Sequence, residues 1–307
     1  MKQNNVPWAR TSPYDRYFDF IADSADRYSI LLEVIDALKL NSTVISVAGN
    51  KHIFIFPPGQ KSLRDGGIFP FKGQSPYMFC AHYDRVLGSP GANDNSIAVF
   101  HLLNAAYLLA KKKIGNWSIV FTDKEELSFG ENLENQGSFT LAKKIKTWGL
   151  ENAKIYNFDA CGIGDVFIIS TTTDRILKDA ENPNTLKLKE NIRQLRDYAL
   201  ETADSLRMEK VLLAPTPFSD DVGFLRAGFA AQTITILPAE EAKKYETFLR
   251  ARPEFVDVII SGAIKESEER RHLPETWRNL NNASDTPSRL TPQFFEQFVK
   301  FVVELAK

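Results

Sequence analysis

Residues 77–84 read Tyr77-Met78-Phe79-Cys80-Ala81-His82-Tyr83-Asp84, and this stretch decides the fold. Its first five residues are mostly apolar, follow Pro76, and stop at polar side chains. That is the length and content of a strand buried on both faces. His82 then stands at the strand's end. A loop with Gly88, Pro90 and Gly91 leads to Gly91-Ala92-Asn93-Asp94-Asn95, and Ile97 to Leu109 is a long, mostly apolar run of helical length. A histidine and an aspartate therefore flank one strand–loop–helix crossover. Neutral imidazole and carboxylate are ligand types that suit zinc. Asp84, two residues after His82, is placed to fix the histidine tautomer from behind. The plainer reading of a lone His-x-Asp is simple hydrogen bonding, and Asp94 equally reads as the N-cap of the following helix.

Working outward, the 307 residues divide into 43% hydrophobic and 25% charged, ordinary for a globular chain with a sizeable core. With 38 basic and 39 acidic residues the net charge is −1, which favours neither nucleic acid nor an anionic membrane as a partner. The two cysteines, Cys80 and Cys161, follow apolar runs and read as buried thiols. Met1 to Pro7 carries no apolar signal-peptide core, and no apolar run approaches the roughly 20 residues that span a bilayer. The expectation is a cytoplasmic protein; oligomeric state is left open.

Residues 15–40 have helical spacing and predict two amphipathic helices. Thr43–Val47 and His52–Phe56 predict a hairpin turning at Gly49-Asn50, with His52 a surface or pairing residue. Pro57–Gly73 reads as a loop. Trp117–Thr122, Lys154–Phe158, Val166–Ser170 and Ala230–Leu237 predict strands. Leu141–Leu150, Thr185–Arg207, Ser219–Arg226 and Pro292–Ala306 predict helices, and His101 reads as a core or helix-face histidine. Alternation of strands and helices predicts an α/β fold: a three-layer α/β/α sandwich around a mixed, largely parallel sheet. The expected organisation is one domain over 1–307, with N-terminal helices at about 10–40 and a partial cap or long excursion over 171–215.

On that plan His82, Glu125-Glu126 and Asp159 each follow a predicted buried strand. Ends of parallel strands share one edge, where ligands bind. Each acid alone reads as a solvated turn residue; three strand ends bearing metal-type side chains together are far more specific. A carboxylate shared by two cations suits the separation of about 3.5–4 Å found in two-metal hydrolases. Adjacent glutamates can divide the work, one ligating and one moving the proton of water.

These motifs resemble the zinc aminopeptidase family that includes bacterial leucyl and Y-like aminopeptidases, with glutaminyl cyclases as distant relatives. The resemblance rests on Ala81-His82-Tyr83-Asp84, Gly91-Ala92-Asn93-Asp94-Asn95, Glu125-Glu126, Phe158-Asp159 and Ser284-Asp285-Thr286-Pro287-Ser288-Arg289-Leu290. It implies a zinc exopeptidase-like fold, with His82 and Asp159 on one zinc, Glu126 on the other, and Asp94 bridging. It implies Glu125 as general base and acid and Asp84 as the residue orienting His82. Ser219-Asp220 is similar to the family's Ser-Asp element near the substrate pocket, although Asp221 stands where a histidine often follows. The implied cofactor is one or two zinc ions, with manganese or cobalt as alternatives, and the implied substrate is a peptide with a free N-terminus. One departure concerns the metal centre. The family's late ligating histidine falls on Asn281, and its preceding tyrosine on Leu280. An amide oxygen is a poor zinc ligand beside imidazole. His272, nine residues earlier, is the nearest imidazole in sequence. The expected activity is metal-dependent aminopeptidase with an altered second site; a catalytically impaired metal- or peptide-binding protein and a cyclase-like acyltransferase are the alternatives.

Overall fold

The computed structural model describes residues 6–59, 76–128, 130–262, 264 and 268–307. Its strands are β1 (Asn41–Val47), β2 (Asn50–Phe56), β3 (Tyr77–His82), β4 (Trp117–Thr122), β5 (Lys154–Phe158), β6 (Val166–Ser170), β7 (Val211–Ala214) and β8 (Ala231–Leu237). They form one sheet in the order β1-β2-β4-β3-β5-β8-β6-β7. β4, β3, β5 and β8 run parallel, β1 and β2 join antiparallel at one edge, and β6 runs antiparallel to β8 but parallel to β7.

The sheet is covered on both faces, as the alternation of its side chains requires. Phe79, Ala81, Ile119, Phe121, Tyr156 and Phe158 point to the face carrying α1 (Tyr17–Phe20), α2 (Arg27–Ala37) and α3 (Ile97–Lys111). Met78, Cys80, Val120 and Ile155 point to the opposite face, against α4 (Gly137–Lys146). α5 (Thr172–Ile176) and α6 (Pro183–Ser205) follow β6. α7 (Asp220–Arg226) packs beside α4. α8 (Ala239–Ala251), α9 (Phe255–Ile260) and α10 (Glu275–Arg278) build a third apolar cluster over Val166, Ile168 and Leu237. The last helix, α11 (Phe295–Leu305), lies with α3 and α6. The three-layer expectation therefore holds.

Several local expectations are corrected. The hairpin turns on Ala48 and Gly49, both left-handed, because Val47 pairs with Asn50. The first N-terminal helix is a single turn; Tyr17 and Phe20 spend their burial on Phe100 rather than on a long helix face. Residues 171–215 supply α5, α6 and the strand β7. Ile192, Leu195 and Ala199 of α6 lie in the main core, and Tyr156 donates its hydroxyl to Leu195 O at 2.8 Å. β7 and α8 carry little signal in the sequence: β7 is only four residues long, and the charged residues of α8 leave Ala242 and Tyr245 as its buried positions. Most of the predicted loop at Pro57–Gly73 lies outside the described residues. No helix among the described residues is long and apolar enough to cross a membrane.

His52 is fully buried rather than at the surface, and its Nδ1 accepts from Asp123 N at 3.3 Å. His101 is buried between Phe295 and Phe298, with its Nδ1 2.8 Å from the Tyr14 hydroxyl. Burial pushes these imidazoles down, to about 4 for His52 and about 3 for His101. Both are neutral in the fold and bind protons more readily once unfolded. Their contribution is therefore complete above the ordinary imidazole value of 6.5 and lost as pH falls below it. His101→Gln removes one such group. The stability advantage of the wild type over this variant should shrink by about 1.4 kcal/mol per pH unit below 6.5. Urea unfolding of both proteins at pH 7, 6 and 5 measures it, and a pH-independent difference would refute it.

Candidate metal centre

β3 lies between β4 and β5, so the chain leaves it in one direction and returns across it in the other. The carboxyl end of such a strand opens a crevice in the sheet. His82 is the last residue of β3; Glu125-Glu126 follow β4, and Asp159 follows β5. Asp94 comes from the loop entering α3. Its backbone, and that of Asn95, is not helical, and the α3 cap position belongs to Ser96. Asp94 therefore does not cap the helix, and its carboxylate is directed to His82.

The fully buried His82 ring has Nε2 3.1 Å from Asp94 Oδ1 and 3.8 Å from Asp159 Oδ1, and Nδ1 3.4 Å from Asp84 Oδ1. Neither ring nitrogen makes a well-directed hydrogen bond. His82, Asp94 and Asp159 offer ligand atoms within 4.8 Å of one another, and so do His82, Glu125 and Glu126. Burial disfavours the imidazolium, but Asp159, Asp84 and Asp94 together outweigh it and raise the His82 pKa well above its ordinary value. A field that retains a proton there also favours a cation. The donor set of one imidazole with carboxylates fits a zinc-type ion.

Each of these side chains is fixed from behind. Asp84 accepts from the backbone N–H of Glu125 at 3.2 Å and of Glu126 at 3.0 Å. Burial raises the Asp84 carboxyl, but His82 and those N–H groups prevail, and its pKa falls below the ordinary value. Gln136 Nε2 donates to Glu125 Oε1 at 3.2 Å. Ser219 donates to Asp159 Oδ2 at 2.6 Å, and Asn157 donates to Ser219. The Asp94 loop is held by Asp285, whose two carboxylate oxygens accept from Asn93 N at 2.8 Å and Asp94 N at 3.0 Å. Asn93 Oδ1 accepts from Gly162 N, and Asn95 donates to Phe158 O at 2.7 Å. Lys124 and Ala160, neighbours of Glu125 and Asp159, are left-handed, a conformation that costs non-glycine residues about 1–2 kcal/mol. Strain beside functional groups is a recurring pattern.

Arg27 is the supporting residue that sequence reading missed. It is buried, and its guanidinium donates to Tyr83 O, Asp84 O, Pro90 O and Ser96 Oγ. Burial lowers its pKa to about 10, so it stays charged near neutrality. Gly91, at φ +59°, is required beside it: a Cβ there would lie 2.9 Å from the guanidinium and 2.8 Å from Asp94 O. No spacing in the sequence links Arg27 to this loop.

One cavity is lined by Asp94, Glu125, Glu126, Asp159, Asn281 and apolar residues beyond them. Asn281 thus reaches the site, with left-handed backbone at φ 63°. His272 does not line that cavity; it stacks on Phe248 at 4.8 Å and faces Glu269. His52 and His101 are committed to the contacts described above. Asp221 is buried and its carboxyl is pushed up to about 7 by that burial.

The model for Peptidase family M28 matches residues 68–302. This chain belongs to that family. Among solved structures of similar fold, a Zn-dependent exopeptidase from Parabacteroides distasonis superposes with TM-score 0.60 at 13% identity, over 95% of this chain and 96% of its own. The Porphyromonas gingivalis glutaminyl cyclase gives 0.59 at 15% identity, over 95% and 94%. The zinc aminopeptidase BSAP from Bacillus subtilis gives 0.52 at 17% identity, over 83% of this chain; the chain spans about half, 49%, of that protein's length. At such identities the likeness is one of fold. No curated protein matches the chain in sequence.

Asp285→Ala strands two buried N–H groups and should cost about 2–6 kcal/mol, at about 1–3 for each lost partner. Asp285→Asn, which retains one acceptor, should cost less. Denaturant unfolding of both variants tests this, and equal stability of wild type and alanine variant would refute the clamp.

Proposed function

We propose that this member of Peptidase family M28 is a metal-dependent aminopeptidase that releases the first residue from peptides with a free N-terminus. The observation that carries the reading is the gathering of His82, Asp94, Asp159, Glu125 and Glu126 from separate elements into one cluster, four of them on one cavity wall. His82, Asp94 and Asp159 would hold one ion, and Glu126 would contribute to a second. A bound zinc, manganese or cobalt ion would polarise the scissile carbonyl and acidify the attacking water.

The chain's own residues do the rest. Asp84 keeps the His82 ring oriented so that Nε2 faces Asp94 and Asp159. Glu125, steadied by the Gln136 amide, takes a proton from water and delivers it to the leaving amine nitrogen. The carboxylates of the cavity attract the ammonium of a free N-terminus, which favours cleavage at the first bond. Glu125→Gln should keep its metal and lose at least about 10²-fold in kcat. Metal analysis with turnover of aminoacyl anilides checks both halves, and a normal rate removes the proton-transfer role.

Asn281 supports a narrower reading, in which the second site is weak. It stands on the cavity wall in place of an imidazole, and no other histidine reaches that wall among the described residues. After dialysis about one ion per chain should remain, and Asn281→His should raise that stoichiometry. An unchanged ratio would argue that Asn281 does not occupy a ligand position. Metal retained without turnover of any peptide would instead select the impaired, binding-only alternative.

A further inference from the structure

The cavity wall away from the carboxylates has a different chemistry. Ile264, Leu273 and Trp277 line it as buried apolar side chains, and Leu280 lies beside them. Arg270 is the single basic residue lining the cavity among the described residues. Its Nη2 donates to Arg278 O at 3.1 Å and to Leu280 O at 3.4 Å. These bonds tie the guanidinium to the segment that also presents Leu280 and Asn281 to the cavity. Nε and Nη1 make no such bonds, and Arg270 forms no ion pair among the described residues. Other arginines behave differently: Arg16, Arg193, Arg196, Arg250, Arg252 and Arg289 each pair with a carboxylate.

We infer that Arg270 makes this cavity selective for an N-terminal residue with an acidic side chain, glutamate or aspartate. The inference rests on the aminopeptidase reading and names its substrate class. The carboxylates draw the substrate's ammonium to one wall, while Trp277, Leu273 and Ile264 pack its side-chain methylenes. The guanidinium, already anchored through Nη2, keeps Nε and Nη1 for the terminal carboxylate. Arginine matches carboxylates through paired, charge-assisted donors and carries its charge at every physiological pH. A site built around such a donor rejects analogues that lack the matching group more strongly than an apolar pocket rejects a size change.

The test compares glutamyl, glutaminyl and leucyl p-nitroanilides on the zinc-loaded full chain. Glutamine has nearly the shape of glutamate, so the Glu/Gln ratio in kcat/KM isolates the charge. That ratio should be tenfold or more in the wild type, fall at least tenfold in Arg270→Gln, and recover in part in Arg270→Lys. Calorimetry with free L-glutamate and L-glutamine reads the same preference without turnover. A wild-type ratio near one, or a ratio unchanged in Arg270→Gln, overturns the inference. Should no anilide be cleaved while glutamate still binds tighter than glutamine in an Arg270-dependent way, the peptidase reading fails and Arg270 retains its role. Equal binding of the two amino acids by the wild type overturns the role of Arg270 whether or not any anilide is cleaved.

Discussion

A fully buried imidazole surrounded by carboxylates is the constraint on which the rest of the molecule depends. His82 meets Asp84, Asp94 and Asp159 within 4 Å, and Glu125 and Glu126 stand close by. Burying so many like charges is costly unless they are paired or hold a cation. Near the site the described residues provide one buried permanent cation, Arg27, and its hydrogen bonds go to carbonyls and a hydroxyl rather than to these acids. A divalent ion in the proposed site would relieve this repulsion, and its binding would be linked to folding stability.

Much of the architecture around the site keeps those acids in place. The acceptors are met by backbone N–H groups and small polar side chains: Glu125 N and Glu126 N on Asp84, Asn93 N and Asp94 N on Asp285, Ser219 on Asp159. Such bonds fix direction without bringing further charge into the crevice. The helices serve the same end at longer range. α2 supplies Arg27 to hold the loop between β3 and α3, and the segment before α11 supplies Asp285. Elements far apart in sequence therefore meet at one loop.

Fold and activity remain separate matters here. The same architecture carries a Parabacteroides exopeptidase, a Bacillus aminopeptidase and a Porphyromonas glutaminyl cyclase. A sheet with a crevice at its parallel strand ends can host each of these, so the side chains in the crevice must carry the functional argument. In this chain the telling positions are the acids beside His82, the amide at Asn281 and the arginine at the far wall.

Sequence by itself determined every strand of the sheet except β7, and the ends of those strands. Apolar runs such as Tyr77–Ala81 and Trp117–Thr122 can be satisfied only by burial on both faces, and polar residues placed directly after them must emerge at one edge. His82, Glu125, Glu126 and Asp159 stand at that edge for this reason, whereas Asp94 joins them from the loop entering α3. Long-range partners were not legible. Nothing local distinguishes Arg27 from a surface arginine, His52 from an exposed hairpin residue, or Arg270 from its neighbour Arg271, because burial and cavity lining are properties of elements brought together across the chain. α6 has the charged face of an outlying helix, and only its packing against β5, β8 and α11 made it a layer of the core. Tertiary structure decided which polar groups meet, since a hydrogen bond or an electrostatic contact depends on ångström distances that spacing along the chain does not encode.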